Sequence, residues 1–321
     1  MVIIALLATL GLIALVQWRA GAREAQAERA YPPVGQIVEV DGTKVHLHVQ
    51  GTGPDVVLIH GASGSLRDYT FDLVDRLKDR YRVISLDRPG LGWTTRPEPD
   101  FGGAWSIAAE PPALQARLLQ AAADTVGVTR PIVVGHSFGG AVALAWALER
   151  PEDTAALVLL AAASMPWEGE LGALYQVNSS LPGSLFVVPL ITAFTPDSRI
   201  ETTVKSIFAP QPMPDGYLDH IGPDMSLRRA TLRANAQQVN NLRPHIIEMS
   251  KQYPDLLMPV ELLHGTADTT VGLRIHSEPL AELLPNATLT RLEGVGHMPH
   301  HAAPEQVVAA IERATTRAGL R

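Results

Sequence analysis

Apolar residues fall into three regimes along the chain. Val2 to Val16 is almost wholly apolar, broken only by Thr9 and Gly11. From Ile37 onward, short β-branched runs alternate with stretches of helical period. Ile37 to Val49 alternates around Asp41-Gly42, a two-residue hairpin signal. The runs at Asp55–His60, Arg82–Leu86, Ile132–Val134, Ala155–Ala161, Pro259–His264 and Ala287–Glu293 suit strands. Helical stretches fall at Leu66–Lys78, Ile107–Val126, Ala141–Leu148, near Ile275–Leu284, and from Pro304 to about Thr316, with a loop at Pro97–Ser106. Strands alternating with helices predict an α/β fold: a mostly parallel central sheet with helices on both faces.

The third regime runs from Ser164 to roughly Pro254. It opens Pro-rich, carries Trp167, Tyr175, Phe186, Phe194 and Phe208, and turns polar and helical around Leu227 to Arg243. This is expected to be an inserted helical cap over the carboxyl edge of the sheet. The chain then divides into residues 1–18 as a transmembrane anchor, 19–33 as an exposed helical stalk ended by Pro32-Pro33, 34–163 and 255–321 as the core, and 164–254 as the cap.

A helix over the first segment spans roughly 25 Å, short against a bilayer core of about 30 Å yet workable in a thinned membrane. Trp18, Arg19 and Arg23 follow it at once. A cleavable signal with export is the alternative reading. It lacks a basic stretch before Val2, and its cleavage-like Ala25-Gln26-Ala27 lies far from the apolar run. Basic residues gather after the span, so the positive-inside rule places the catalytic domain in the cytoplasm.

Composition trims the options. The 321 residues carry a net charge of −7, which gives no footprint for nucleic acid. The absence of cysteine removes disulfides, thiolate metal sites and a cysteine nucleophile.

Chemistry centres on Gly135-His136-Ser137-Phe138-Gly139, a G-x-S-x-G pattern between a strand and a helix. Such a turn strains the backbone at Ser137 and holds its hydroxyl out at the end of the sheet, with the Phe138 N–H at a helix start. Side chains at Gly135 and Gly139 would strike neighbouring backbone. A serine needs a base, and the base needs a carboxylate. Past the later strands come Asp268 and then His297, in the order Ser, Asp, His. Rivals are His300 and His301 for the base and Glu168 for the acid, while His264 reads as a structural hydrogen bonder. Turn and N-cap roles are the plain readings of Asp268 alone. The second oxyanion donor is assigned to the Ala62 N–H, with Ser63 as the alternative. His60, Gly61 and the cap's Trp167 are expected to line the substrate site.

These residues carry a resemblance to the α/β-hydrolase superfamily over roughly residues 34 to 318. The matching motifs are His60-Gly61, Asp87-Arg88-Pro89-Gly90-Leu91-Gly92, Gly135-His136-Ser137-Phe138-Gly139-Gly140, Gly265-Thr266-Ala267-Asp268 and Gly296-His297. The resemblance implies hydrolysis with no metal or organic cofactor. Dehalogenases and epoxide hydrolases are similar but use an aspartate where Ser137 stands. The reading is a serine esterase acting on a small, fairly apolar ester near a membrane. The same triad serves carbon–carbon, amide or perhydrolase chemistry, and a non-catalytic ligand-binding protein with this fold is the reading from a different class.

Overall fold

In the computed structural model, which describes residues 1–97, 99–103 and 105–321, eight strands form one sheet. They are β1 (Gln36–Val40), β2 (Thr43–Gln50), β3 (Asp55–Ile59), β4 (Arg82–Leu86), β5 (Ile132–His136), β6 (Ala156–Leu160), β7 (Val260–Gly265) and β8 (Ala287–Leu292). Their order across the sheet is β1-β2-β4-β3-β5-β6-β7-β8. The predicted hairpin forms: Val40 pairs with Thr43, and Asp41 and Gly42 take φ of 47° and 77°. β2 runs antiparallel to β4, and the strands from β4 to β8 are mutually parallel.

Helix α1 (Val2–Ala30) precedes the sheet. α2 (Arg67–Thr70) and α3 (Leu73–Leu77) follow β3, α4 (Pro112–Thr125) follows β4, and α5 (Phe138–Glu149) follows β5. Between β6 and β7 lie α6 (Ala173–Ser179), α7 (Val188–Phe194), α8 (Asp197–Phe208), α9 (Tyr217–Ile221), α10 (Arg229–Asn240) and α11 (Leu242–Ser250). α12 (Ser277–Leu283) joins β7 to β8, and α13 (Pro299–Ala302) and α14 (Pro304–Arg317) follow β8.

Strand alternation sends apolar side chains to two cores. Val57, Ile59, Val133 and Leu159 meet Leu119, Val142 and Leu144 of α4 and α5 on one face. Val56, Leu58, Val134 and Val158 meet Leu73, Leu77, Val307 and Ile311 of α3 and α14 on the other. Each such large side chain contributes roughly 1.5–3 kcal/mol by leaving water. Both faces are covered, so the central strands read as apolar runs and their carboxyl ends are free to carry chemistry.

Two expectations are corrected. Leu66–Lys78 is two short helices, because Asp72 leaves the helical region at φ −150° and starts α3. The helix expected from Ile107 starts at Pro112, where Pro111 is extended and Pro112 takes the first helical position. In the loop expected at 97–106, Glu98 and Ala104 lie outside the described residues.

The stalk is helical but not free. α1 continues unbroken to Ala30, and its second half lies against the segment between β6 and β7. Val16 and Ala20 pack on Ala193. The Arg19 Nε–H donates to the Ala193 carbonyl at 2.8 Å. Glu24 accepts from the Arg229 side chain at 2.7 and 2.8 Å and from its amide at 2.8 Å. Arg23 pairs with Asp224 at 3.0 Å, and Glu28 with Arg228 at 3.0 Å.

Candidate active site

β5 ends at His136 and α5 begins at Phe138, so Ser137 alone makes the turn. Its φ of 52° and ψ of −119° lie outside the usual regions for an L-residue. Such a residue costs of order 1–3 kcal/mol and persists only where neighbours fix it. Here the Ser137 N–H donates to Leu160 O at 2.9 Å, and its carbonyl accepts from Gly140 at 3.0 Å and Ala163 at 3.1 Å. A methyl on Gly139 would sit 2.1 Å from Ile59 O, and one on Gly135 would sit 2.4 Å from Gly139 O. The two glycines therefore let the helix start close against β3 and β5.

The loops after β7 and β8 meet beside this turn. The Ala267 N–H donates to Val295 O at 2.9 Å, and the Gly294 N–H to Thr266 Oγ1 at 2.9 Å. Asp268 and His297 are joined through Oδ2 and Nδ1 at 2.7 Å. The other Asp268 oxygen accepts from the amides of Thr270 at 2.8 Å and Val271 at 3.0 Å. Burial alone would raise the Asp268 carboxyl. Hydrogen bonds from His264 and His297 and the Val271 amide overcome that and hold it well below the usual carboxylate range. His264 is the structural bonder the sequence suggests. Its ring bonds Ser277 Oγ at 2.7 Å and Val271 O at 2.8 Å, and it lies 3.3 Å from Asp268. His297 and Ser137 are not hydrogen-bonded to one another in this structure, while the His297 carbonyl is held at 2.8 Å by His136 Nε2. Bonds of this kind often tighten only when substrate is bound.

His136 and Gln211 are residues that sequence reasoning missed. His136 is fully buried, and burial with His300 and His297 close by pushes its imidazole well below the ordinary value. It stays neutral and donates to the His297 loop. Gln211 bridges the same loop by accepting from Gly296 N at 2.9 Å and donating to Gly294 O at 2.8 Å.

The loop after β3 packs against the turn. A methyl on Gly61 would lie 3.1 Å from Ser137 Cβ, so the backbone of this loop passes directly over the serine. Ser63, at φ 57°, donates its N–H to Asn235 Oδ1 at 2.7 Å, and its carbonyl accepts from Ser226 Oγ at 2.6 Å. The Ser63 amide is thus occupied, which leaves the Ala62 amide as the loop's candidate donor beside Phe138.

His60, expected to touch substrate, is corrected. It is fully buried, its Nδ1 bonds Gly61 O at 2.9 Å, and its Nε2 accepts from the Arg88 amide at 3.0 Å. Burial, with Arg88 adding to it, pushes this imidazole down to about 4. Its part is to pin the loop. Trp167 lies 5.9 Å from the His276 ring and lines an open cleft of about 400 Å³ with Glu170, Gln176 and Arg243, a lining that includes neither Ser137 nor His297. Glu168 is exposed to solvent.

His300 and His301 turn away from Ser137 to Asp68. They bond its two oxygens at 2.9 and 2.7 Å, and Tyr217 Oη adds a third bond at 2.7 Å. Burial would raise the Asp68 carboxyl, but the two histidines hold it well below the usual range. Among the described residues, Asp68, His300 and His301 are the trio whose donor atoms lie within 4.8 Å of one another, close enough for a metal ion. Three hydrogen bonds already engage this carboxylate.

One antiparallel hairpin at the edge of a parallel sheet, with the candidate chemistry at the carboxyl ends of β5, β7 and β8, makes this an α/β hydrolase. Residues 56–310 match the alpha/beta hydrolase family, and the chain belongs to it. Haloalkane dehalogenase 2 of Mycobacterium tuberculosis is 25% identical over 293 residues, covering 88% of this chain and 94% of the relative. A membrane phospholipase A, described as a bacterial virulence factor, superposes with a TM-score of 0.67 at 21% identity, over 98% of this chain and 97% of that one. Esterase RhEst1 of Rhodococcus sp. ECU1013 superposes at 0.64 with 24% identity, over 89% and 98%. The protein is a hydrolase enzyme.

Proposed function

We propose that the protein is a membrane-anchored serine esterase that cleaves fairly apolar carboxylic esters through an acyl-enzyme. The observation that carries this reading is the 2.7 Å bond between His297 and Asp268 in the loops beside the strained Ser137. Ser137 Oγ attacks the ester carbonyl while His297 takes its proton. Asp268 fixes the tautomer of His297 and stabilises the imidazolium. The amides of Ala62 and Phe138 receive the negative oxygen, each worth roughly 3–4 kcal/mol of barrier. His297 returns the proton to the departing alcohol, and water, activated by the same imidazole, frees the acid. Gly61 gives the substrate room over the serine. Among relatives of this fold, dehalogenation by an attacking aspartate is not open to this chain, whose elbow carries Ser137.

Retention of α1 belongs to the same proposal. The ion pairs of Arg23 and Glu24 with the cap would be lost by cleavage after Ala27, so the helix serves the folded body as well as the membrane. The basic residues after the apolar run favour the cytoplasmic side for that body. The segment 164–254 acts as the cap, and the core comprises 34–163 with 255–321.

A fluorophosphonate probe and a panel of p-nitrophenyl esters test the reading. Wild type should be labelled and should hydrolyse medium-chain esters, and Ser137→Ala should do neither. Absence of labelling in detergent-solubilised, folded wild type would refute the serine mechanism.

A further inference from the structure

The segment between α6 and α7 carries its apolar side chains outward. Leu174 and Val177 on α6 are 62% and 40% exposed, and Phe186, Leu190 and Phe194 are 63%, 48% and 49% exposed. Phe186, Leu190 and Phe194 fall at i, i+4 and i+8, one stripe of the helical stretch Gly183–Phe194. α6 meets this stretch at 91°, so the two form a bent pair whose outer surface is greasy. A cap that only covered its own sheet would bury such a stripe.

The stripe is continuous with α1. Arg19 lies over the Phe194 ring at 5.2 Å, and Ala193 packs on Val16 and Ala20. One step further along, the Thr195 carbonyl accepts from Arg23. The two helices therefore run in the same direction. Stepping back along α7 from Phe194 to Phe186 moves toward the apolar half of α1 by roughly 12 Å at the usual helical rise. Phe186 thus lies on the side of Ala193 that faces the exposed apolar run of α1. Around that run the window of highest mean hydropathy reaches 2.0 and is only 6% buried.

We propose that the α6–α7 bend is a second membrane-inserting element, seated in the same leaflet that α1 enters, with the lipid bilayer as its occupant. The proposal rests on the reading of α1 as a retained anchor and goes beyond it. Trp18, 69% exposed, and Arg19 then mark the headgroup level, and Leu190 and Phe186 reach past it into the acyl region. With the bend inserted, the folded body sits against that leaflet, where apolar esters partition.

The chain contains no cysteine, so single cysteines label uniquely. Full-length Leu7→Cys, Phe186→Cys, Leu190→Cys and Lys251→Cys are tagged with NBD in phosphatidylethanolamine–phosphatidylglycerol vesicles. Quenching by doxyl-labelled lipid and by aqueous iodide is then read. Lipid quenching at positions 7, 186 and 190, with iodide quenching at 251, supports the proposal. Lipid quenching at 7 with iodide quenching at 186 and 190 overturns it while leaving the anchor intact. Failure of lipid quenching at 7 overturns the anchor and the proposal together. Shielding of 186 and 190 from both quenchers, relieved on dilution with lipid, assigns the stripe to a second copy of the chain and also overturns it. As a functional arm, Phe186→Ser with Leu190→Ser should lower hydrolysis of a vesicle-borne long-chain ester at least fivefold. Turnover of a water-soluble short-chain ester should be unchanged. Equal loss on both esters would count against a membrane role.

Discussion

Acidification should destabilise this protein through histidines that are buried as acceptors. His276 Nδ1 accepts the amides of Ser164 at 3.2 Å and Met165 at 3.1 Å, and His60 Nε2 accepts the Arg88 amide at 3.0 Å. A proton on either nitrogen would face donors. Burial pushes both imidazoles down to about 4, helped by Arg88 at His60 and by His264 at His276. The unfolded chain titrates near 6.5, so between the two values it binds more protons than the folded one, and stability falls as pH falls. From pH 7.5 to 5.0 the linkage amounts to roughly 2 kcal/mol lost per histidine. His136 and His300, both lowered by burial, act in the same direction. The assay is denaturant unfolding in detergent micelles, followed by tryptophan fluorescence at both pH values. His276→Asn puts a non-titrating amide oxygen where Nδ1 stood. The variant's loss of stability between the two pH values should be smaller than that of wild type by roughly 2 kcal/mol. An identical loss in both proteins would refute the reasoning, whatever the variant's absolute stability.

Other outcomes follow from the same geometry. Gly139→Ala drives a methyl to within 2.1 Å of Ile59 O, where no flexible side chain can yield. It should cost at least about 3 kcal/mol in an unfolding curve and abolish probe labelling. Asp268→Asn keeps the shape but loses the charge that fixes His297. It should lower kcat by roughly a thousandfold or more with KM little changed, as read on a soluble ester. Arg229→Ala removes the partner of Glu24 and Gln17 and should free the second half of α1. Limited trypsin digestion should then cut at Arg19 and Arg23 several times faster, with esterase activity on soluble substrates retained.

What the sequence disclosed was what adjacent residues determine. The Asp41-Gly42 turn, the β-branched runs and the G-x-S-x-G turn each carry their geometry within a few positions, so strand bounds fell within a residue or two. Asp268 and His297 could be brought forward as candidates because each lies just past a strand whose neighbour is parallel, and the two are hydrogen-bonded. Hidden features are those joined across the chain. Asp68 meets His300 and His301 at separations of 232 and 233 residues, and Ser63 meets Asn235 at 172. No local pattern encodes such partners. His60 misled because its place after a strand suggested exposure to substrate, whereas its ring turns back under the loop. The composition of Arg19 to Ala30 suggested an exposed stalk, although Arg23, Glu24 and Glu28 pair with charges in the segment between β6 and β7.

The uninterrupted course of α1 into its berth on the cap has a mechanical consequence. Between its apolar run and the folded body there is no slack segment to absorb rotation. If α1 spans a bilayer as proposed, its inclination and the attitude of the segment it packs on become a single variable, so a change in bilayer thickness that tilts one would swing the other.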